Sequence, residues 1–194
     1  TDGIKPLEGA VATLRPNEGK FGGAVAVEEG TTNLIPDASW STNTKFKLPF
    51  QNYNTPNHEI VDEAFVPNTR SLRLWYNSPT NDGSQLNKGF RVDINGLEGE
   101  TYTFSFYEKG FGTISWYNIG ASSSGETSKI VLPNGWTKHI LTITFRESGT
   151  RIQYMRPNSN REYSFDCLVN APQLEKKPFA TSFVDGTRPD GILA

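Results

Sequence analysis

Residues Gly99 to Gly110, reading Gly-Glu-Thr-Tyr-Thr-Phe-Ser-Phe-Tyr-Glu-Lys-Gly, constrain the fold more than any other stretch of the chain. Tyr102, Phe104 and Phe106 alternate with Thr103, Ser105 and Tyr107. That period of two belongs to a strand with one face against a core, and helical spacing does not fit the rings. A glycine at each end supplies turn dihedrals at no steric cost. The pattern predicts a central β-strand whose second face carries Tyr107 and two hydroxyls.

The flanking sequence repeats the pattern. Arg70 to Tyr76 alternates Leu72, Leu74 and Tyr76 with Arg73 and Trp75, and Trp136 to Phe145 alternates Leu141, Ile143 and Phe145 with polar residues. Phe90 to Ile94 is expected to pair with the opening strand through the Asn95–Gly99 corner, and Thr113 to Tyr117 to continue the same sheet. Further strands are predicted at Ala10–Leu14, Ala24–Glu28, Asn33–Trp40 (broken at Pro36), Lys129–Leu132, Arg151–Met155, Tyr163–Val169 and Ala171–Leu174. Pro49, Pro56 and Pro67 argue against regular structure through most of 41–68. Strands recurring at roughly 8 to 12 residues with turn signals between them predict an all-β, two-sheet antiparallel sandwich.

The body is expected at 33–185, with residues 1–32 as an N-terminal arm, edge strand or linker and 186–194 as a tail. Arm and tail are both turn-rich, so their ends should lie close together. With 194 residues the chain is long enough for one domain with a proper core. A formal net charge of -2 leaves no electrostatic footprint for nucleic acid or an anionic membrane surface. No apolar run approaches the roughly 20 residues that span a bilayer. Cys167 is the single cysteine and lies in an apolar run, which excludes an intramolecular disulfide and suits a buried thiol. Thr1 opens no signal-peptide pattern, and the chain is expected to be part of a larger multidomain protein.

The segments Asn33-Leu-Ile-Pro-Asp, Ser71-Leu-Arg-Leu, Gly99 to Gly110, Gly135-Trp-Thr-Lys and Asn170-Ala-Pro-Gln-Leu-Glu occur in an order that resembles jelly-roll carbohydrate-binding modules. Those modules are grouped with the cellulose-, xylan- and mannan-binding families of secreted bacterial glycoside hydrolases. The stretch from Gln173 to Arg188 also resembles repeats of surface-layer and phage tail proteins. The resemblance implies a jelly roll holding a polysaccharide or oligosaccharide on its concave sheet or edge loops, outside the cell or on a cell or virion surface. It further implies a structural Ca2+ beside the first and last strands, for which Asn33, Asn170 and Glu175 are the candidate ligands. Trp40 and Ser41 stand where the family's pattern has an acidic residue, and Asn170 where it has an aspartate. The alternative is an assembly or receptor-binding module of a phage tail or surface-layer protein.

Sugars present C–H faces and hydroxyl edges, so a binding face needs flat rings beside amides, carboxylates or guanidinium groups. Taking Leu72, Phe104, Ile114 and Ile152 as inward, parity turns Arg73, Trp75, Tyr107, Tyr117, Arg151 and Gln153 outward, and these six are the candidate ligand contacts. Trp116 and Trp136 are expected in the core, and Trp40, Phe46, Phe50 and Tyr53 as loop anchors. Catalysis is not expected. His58 and His139 lack metal-ligand spacing, no Gly-x-Ser-x-Gly elbow occurs, and nothing pairs Asp62, Glu63, Glu108 or Asp166 at the about 5 to 10 Å that a glycosidase requires.

Overall fold

A computed structural model describes the backbone of residues 10–16, 23–40, 50–53, 57–77, 89–111, 114–120, 123–157 and 164–188, and the side chains of 30–40, 57–76, 90–110, 125–150 and 165–187. The strands are β1 (Ala10–Pro16), β2 (Gly23–Glu29), β3 (Thr31–Thr32), β4 (Phe50–Tyr53), β5 (Asn57–Val61), β6 (Ser71–Asn77) and β7 (Gly89–Gly96). They continue with β8 (Thr101–Phe111), β9 (Ile114–Gly120), β10 (Ser123–Val131), β11 (Thr137–Phe145), β12 (Gly149–Pro157), β13 (Ser164–Glu175) and β14 (Thr187–Arg188). Every pairing is antiparallel. Six strands form one sheet in the order β10-β11-β8-β13-β6-β5, four form another in the order β4-β7-β12-β9, and β1-β2 and β14-β3 are two-stranded.

Tyr102, Phe104 and Phe106 of β8 are buried, with Leu72 and Leu74 of β6, Leu141, Ile143 and Phe145 of β11 and Phe165, Cys167 and Val169 of β13. Phe90, Val92 and Ile94 come from β7 of the other sheet and belong to the same cluster. Phe90 meets Phe106 edge-on at 5.3 Å between ring centroids. Burial holds the Cys167 thiol well above its ordinary pKa, as expected of an inert core residue.

Several sequence expectations change. The corner at 95–99 does not fold β7 back onto β8. It carries the chain from the four-stranded to the six-stranded sheet, where Gly99 N donates to Phe145 O at 2.9 Å. β9 likewise joins β12 rather than continuing the β8 sheet. Residues 33–40 form turns instead of a strand, and the proline-bearing region contains β4 and β5. The two predicted terminal strands are one, β13, interrupted by a register shift between Asn170 and Gln173 where Ala171 takes a φ of 48°.

β3 pairs with β14, which brings the end of the arm beside the tail. Gln173 Oε1 accepts from Val184 N at 2.8 Å, and Glu175 Oε1 accepts from Thr31 Oγ1 at 2.7 Å and from Thr181 Oγ1 at 2.6 Å. These side chains tie the returning segment to the sheet.

Glu100 fixes the corner. Its Oε2 accepts from Leu97 N at 2.9 Å and from the Tyr102 hydroxyl at 3.0 Å, and its Oε1 from Lys176 Nζ. The Leu97 N–H and then Lys176 lower its pKa from 4.5 to about 2. A depressed carboxylate stabilises the fold fully above the unfolded value, and that contribution disappears as pH falls through the folded one. Glu100→Gln should therefore flatten the loss of stability between pH 4.5 and about 2. Urea midpoints across that range check this, and an unchanged slope would contradict it.

Candidate functional site

Because Leu72 and Leu74 are buried, Arg73 and Trp75 stand on the opposite face of β6. Pairing then sets Asp166 of β13 and Asn57 of β5 beside Trp75, and Glu59 of β5 beside Arg73. The Arg73 guanidinium donates through Nε to Asp166 Oδ1 at 2.9 Å and through Nη2 to Oδ2 at 2.6 Å. Its Nη1 donates to Glu59 Oε1 at 2.8 Å. A bidentate fork of this kind fixes the guanidinium plane as well as its position.

The guanidinium carbon sits 5.0 Å from the centroid of the Trp75 ring, within cation–π range. Trp75 is half-buried and Glu59 and Asn57 are exposed. The Arg73 hydrogen bond lowers the Asp166 pKa, and the bonds to Asp166 and then Glu59 raise that of Arg73, so the row keeps its charges together. Across three strands it offers an indole, a held guanidinium, two carboxylates and an amide. An aromatic surface with acceptors at its margin suits a ligand with both C–H faces and hydroxyls.

Tyr107 faces the same side but is not available to a ligand. It is only 5% exposed. Phe65 stacks on it at 4.6 Å, Trp136 packs nearby as the sequence anticipates, and Lys138 Nζ lies 5.4 Å from the Tyr107 ring. The reason is the chain at 62–70, which returns over this half of the sheet. Asn170 Oδ1 accepts from Phe65 N at 3.2 Å and Val66 N at 3.0 Å, and its Nδ2 donates to Thr69 Oγ1 and Arg70 O at 2.9 Å each. Lys109 Nζ meets Glu63 Oε1 at 2.6 Å on the same covering segment. Phe65 and Val66, two apolar neighbours in a polar connection, were the available sequence signal that something there needed covering.

The six predicted contacts do not share one face. Arg73, Trp75 and Tyr107 are on the six-stranded sheet; Tyr117 of β9 and Arg151 and Gln153 of β12 are on the four-stranded one. In the backbone register Arg151 pairs with Ile94 and Gln153 with Val92. The side chains of Tyr117, Arg151 and Gln153, like those of Trp116, Phe46, Phe50 and Tyr53, lie outside the described residues. Trp40 is buried in the main core. Asp166, Glu59 and Asn57, which are not among the six predicted contacts, complete the row because cross-strand pairing is invisible in a single strand's pattern.

The three candidate calcium ligands do not fit a cation. Asn33 Oδ1 accepts from Ile35 N and Leu174 N at 3.0 Å each, while its Nδ2 donates to Pro172 O at 3.0 Å and Val184 O at 3.1 Å. Asn170 uses all four of its amide positions, as described. Glu175 accepts from Thr181 N at 3.0 Å in addition to its two hydroxyl donors. Both amide oxygens already accept two hydrogen bonds, and calcium needs several free oxygens on one side.

No protein-family model matches the chain, and no curated protein is significantly similar to it. Among solved structures it is similar to a candidate sugar-binding protein from Bacteroides thetaiotaomicron, at 12% identity and a TM-score of 0.48, over 75% of this chain and 100% of that one.

Proposed function

We propose that the chain is a non-catalytic carbohydrate-binding module of jelly-roll type, and that the Trp75 row holds a polysaccharide. The observation that carries this reading is the indole of Trp75 beside a guanidinium locked by Asp166 and Glu59. A sugar ring stacks on the indole, and the carboxylates and Asn57 accept from and donate to its hydroxyls. In this reading the module works outside the cell or on a cell or virion surface, attached to a larger protein. Even weak binding there raises the local concentration of whatever it is joined to.

The alternative, an assembly or receptor-binding module, calls for an apolar patch on this face; the charges of Glu59, Arg73 and Asp166 favour a hydroxylated ligand instead. Affinity gels cast with cellulose, xylan or mannan derivatives test the proposal. One polysaccharide should retard the protein, and Trp75→Ala should abolish the retardation while changing stability by no more than about 1 kcal/mol, as for a partly exposed side chain outside the core. Undiminished retardation of Trp75→Ala, or collapse of its fold, would overturn the assignment.

A further inference from the structure

At the far end of the same sheet, a cleft of about 480 Å³ opens beside the corner between β7 and β8. Its volume is that of a small-ligand site. Gly96 and Gly149 pair across the β7–β12 ladder and both line the cleft. Gly96 is held to glycine from the core side, since a Cβ there would lie 2.6 Å from the Phe145 ring.

The polar groups converge from both sides. On one wall Glu100 is held by Leu97 N, the Tyr102 hydroxyl and Lys176, with Oε1 taking only the ammonium. The Lys176 side chain is 57% exposed and keeps two further N–H donors toward solvent. On the other wall Asn95 Oδ1 accepts from the Thr150 hydroxyl at 2.6 Å, and the Asn95 Nδ2 donors have no partner among the described residues. Leu97, 62% exposed, supplies an apolar edge.

A carboxylate oxygen with a spare lone pair directly beside an ammonium with spare protons is an acceptor and a donor at adjacent positions. Neighbouring hydroxyls on a sugar match that arrangement: one donates to Glu100 Oε1 and the next accepts from Lys176 Nζ. We infer that this cleft is a second saccharide site, which takes the vicinal diol of a terminal sugar with Glu100, Lys176 and Asn95. It does not depend on the Trp75 row. Trp75 aligns through Asp166 with Phe111 at the other end of β8, nine residues from Tyr102, which at about 3.3 Å per residue is about 30 Å.

Titration of the protein with methyl mannoside, methyl glucoside and methyl xyloside, followed through the backbone amide signals of Leu97 and Gly149, tests the inference. At least one glycoside should shift both signals saturably. Lys176→Met and Asn95→Ala, both at solvent-facing side chains, should each weaken that binding by about tenfold, the effect of one charged or buried hydrogen bond. Trp75→Ala should leave the two signals' response intact while abolishing retention on polysaccharide, so failure at one site is distinguishable from failure at the other. No saturable shift with any of the three glycosides, or a shift insensitive to both substitutions, would overturn the second site.

Discussion

Asn170→Asp is expected to destabilise the protein by about 4 kcal/mol at neutral pH, a large fraction of the ~5–15 kcal/mol that holds a typical domain together. The position is fully buried. The two oxygens of an aspartate could still accept from Phe65 N and Val66 N, but nothing would donate to Thr69 Oγ1 and Arg70 O, which now receive the amide protons. Each of those lost bonds costs about 1–3 kcal/mol when its partner stays buried, and a buried carboxylate facing acceptors adds a desolvation penalty. The charged form is the unfavourable one, so the new group's folded pKa lies above its unfolded value and the deficit shrinks as pH falls through that raised value toward the ordinary aspartate range. Urea denaturation at pH 7 and pH 4 reads both effects. A variant as stable as the parent at pH 7 would mean that Asn170 does not hold the 62–70 segment as described.

Gly110→Ala is expected to cost about 3 kcal/mol or more, because two penalties fall on one residue. Its φ of 144° lies where side chains are rarely tolerated, and an added Cβ would stand 2.2 Å from Asp166 O and 2.7 Å from Cys167 Cα. Those are backbone atoms of β13 in the middle of the sheet, paired with Gly110 itself; they cannot move aside as a flexible side chain would. Relief requires opening the β8–β13 ladder, which also carries Asp166 and with it the Arg73 fork. Gly125→Ala serves as the control, since its nearest neighbour would be 3.5 Å away. Denaturation midpoints should fall sharply for the first variant and barely for the second; equal changes would contradict the close approach.

The core face of β8 was legible because three rings at a period of two leave few alternatives, and the same holds for Leu141, Ile143 and Phe145 of β11. The sheet to which a strand belongs was not legible. The Asn95–Gly99 corner has the composition of a hairpin turn, and only the bonds of Gly99 and Glu100 to Phe145 reveal a crossing between sheets. Nothing in Arg-Ile-Gln-Tyr-Met of β12 shows that its neighbours are β7 and β9 rather than β8; only the backbone pairing does. Asn33, Asn170 and Glu175 are the candidate calcium ligands that the resemblance implies. Their chemistry there is to satisfy backbone and hydroxyl groups, something composition cannot separate from metal ligation.

Trp75 survives from the predicted ring set as the accessible indole of the described face, whereas Tyr107 belongs to the cover of the sheet. That contrast depends on residues 62–70, so the function of this face follows from where that segment lies. The most direct measurement is the indole N–H spectrum of the four tryptophans, with the Trp75 signal assigned by Trp75→Phe, during titration with the oligosaccharide of whichever polysaccharide retards the protein. The Trp75 signal should move saturably while that of Trp136, 4% exposed, stays in place. A Trp75 signal that does not move at saturating oligosaccharide would contradict the assignment of this row as the binding face.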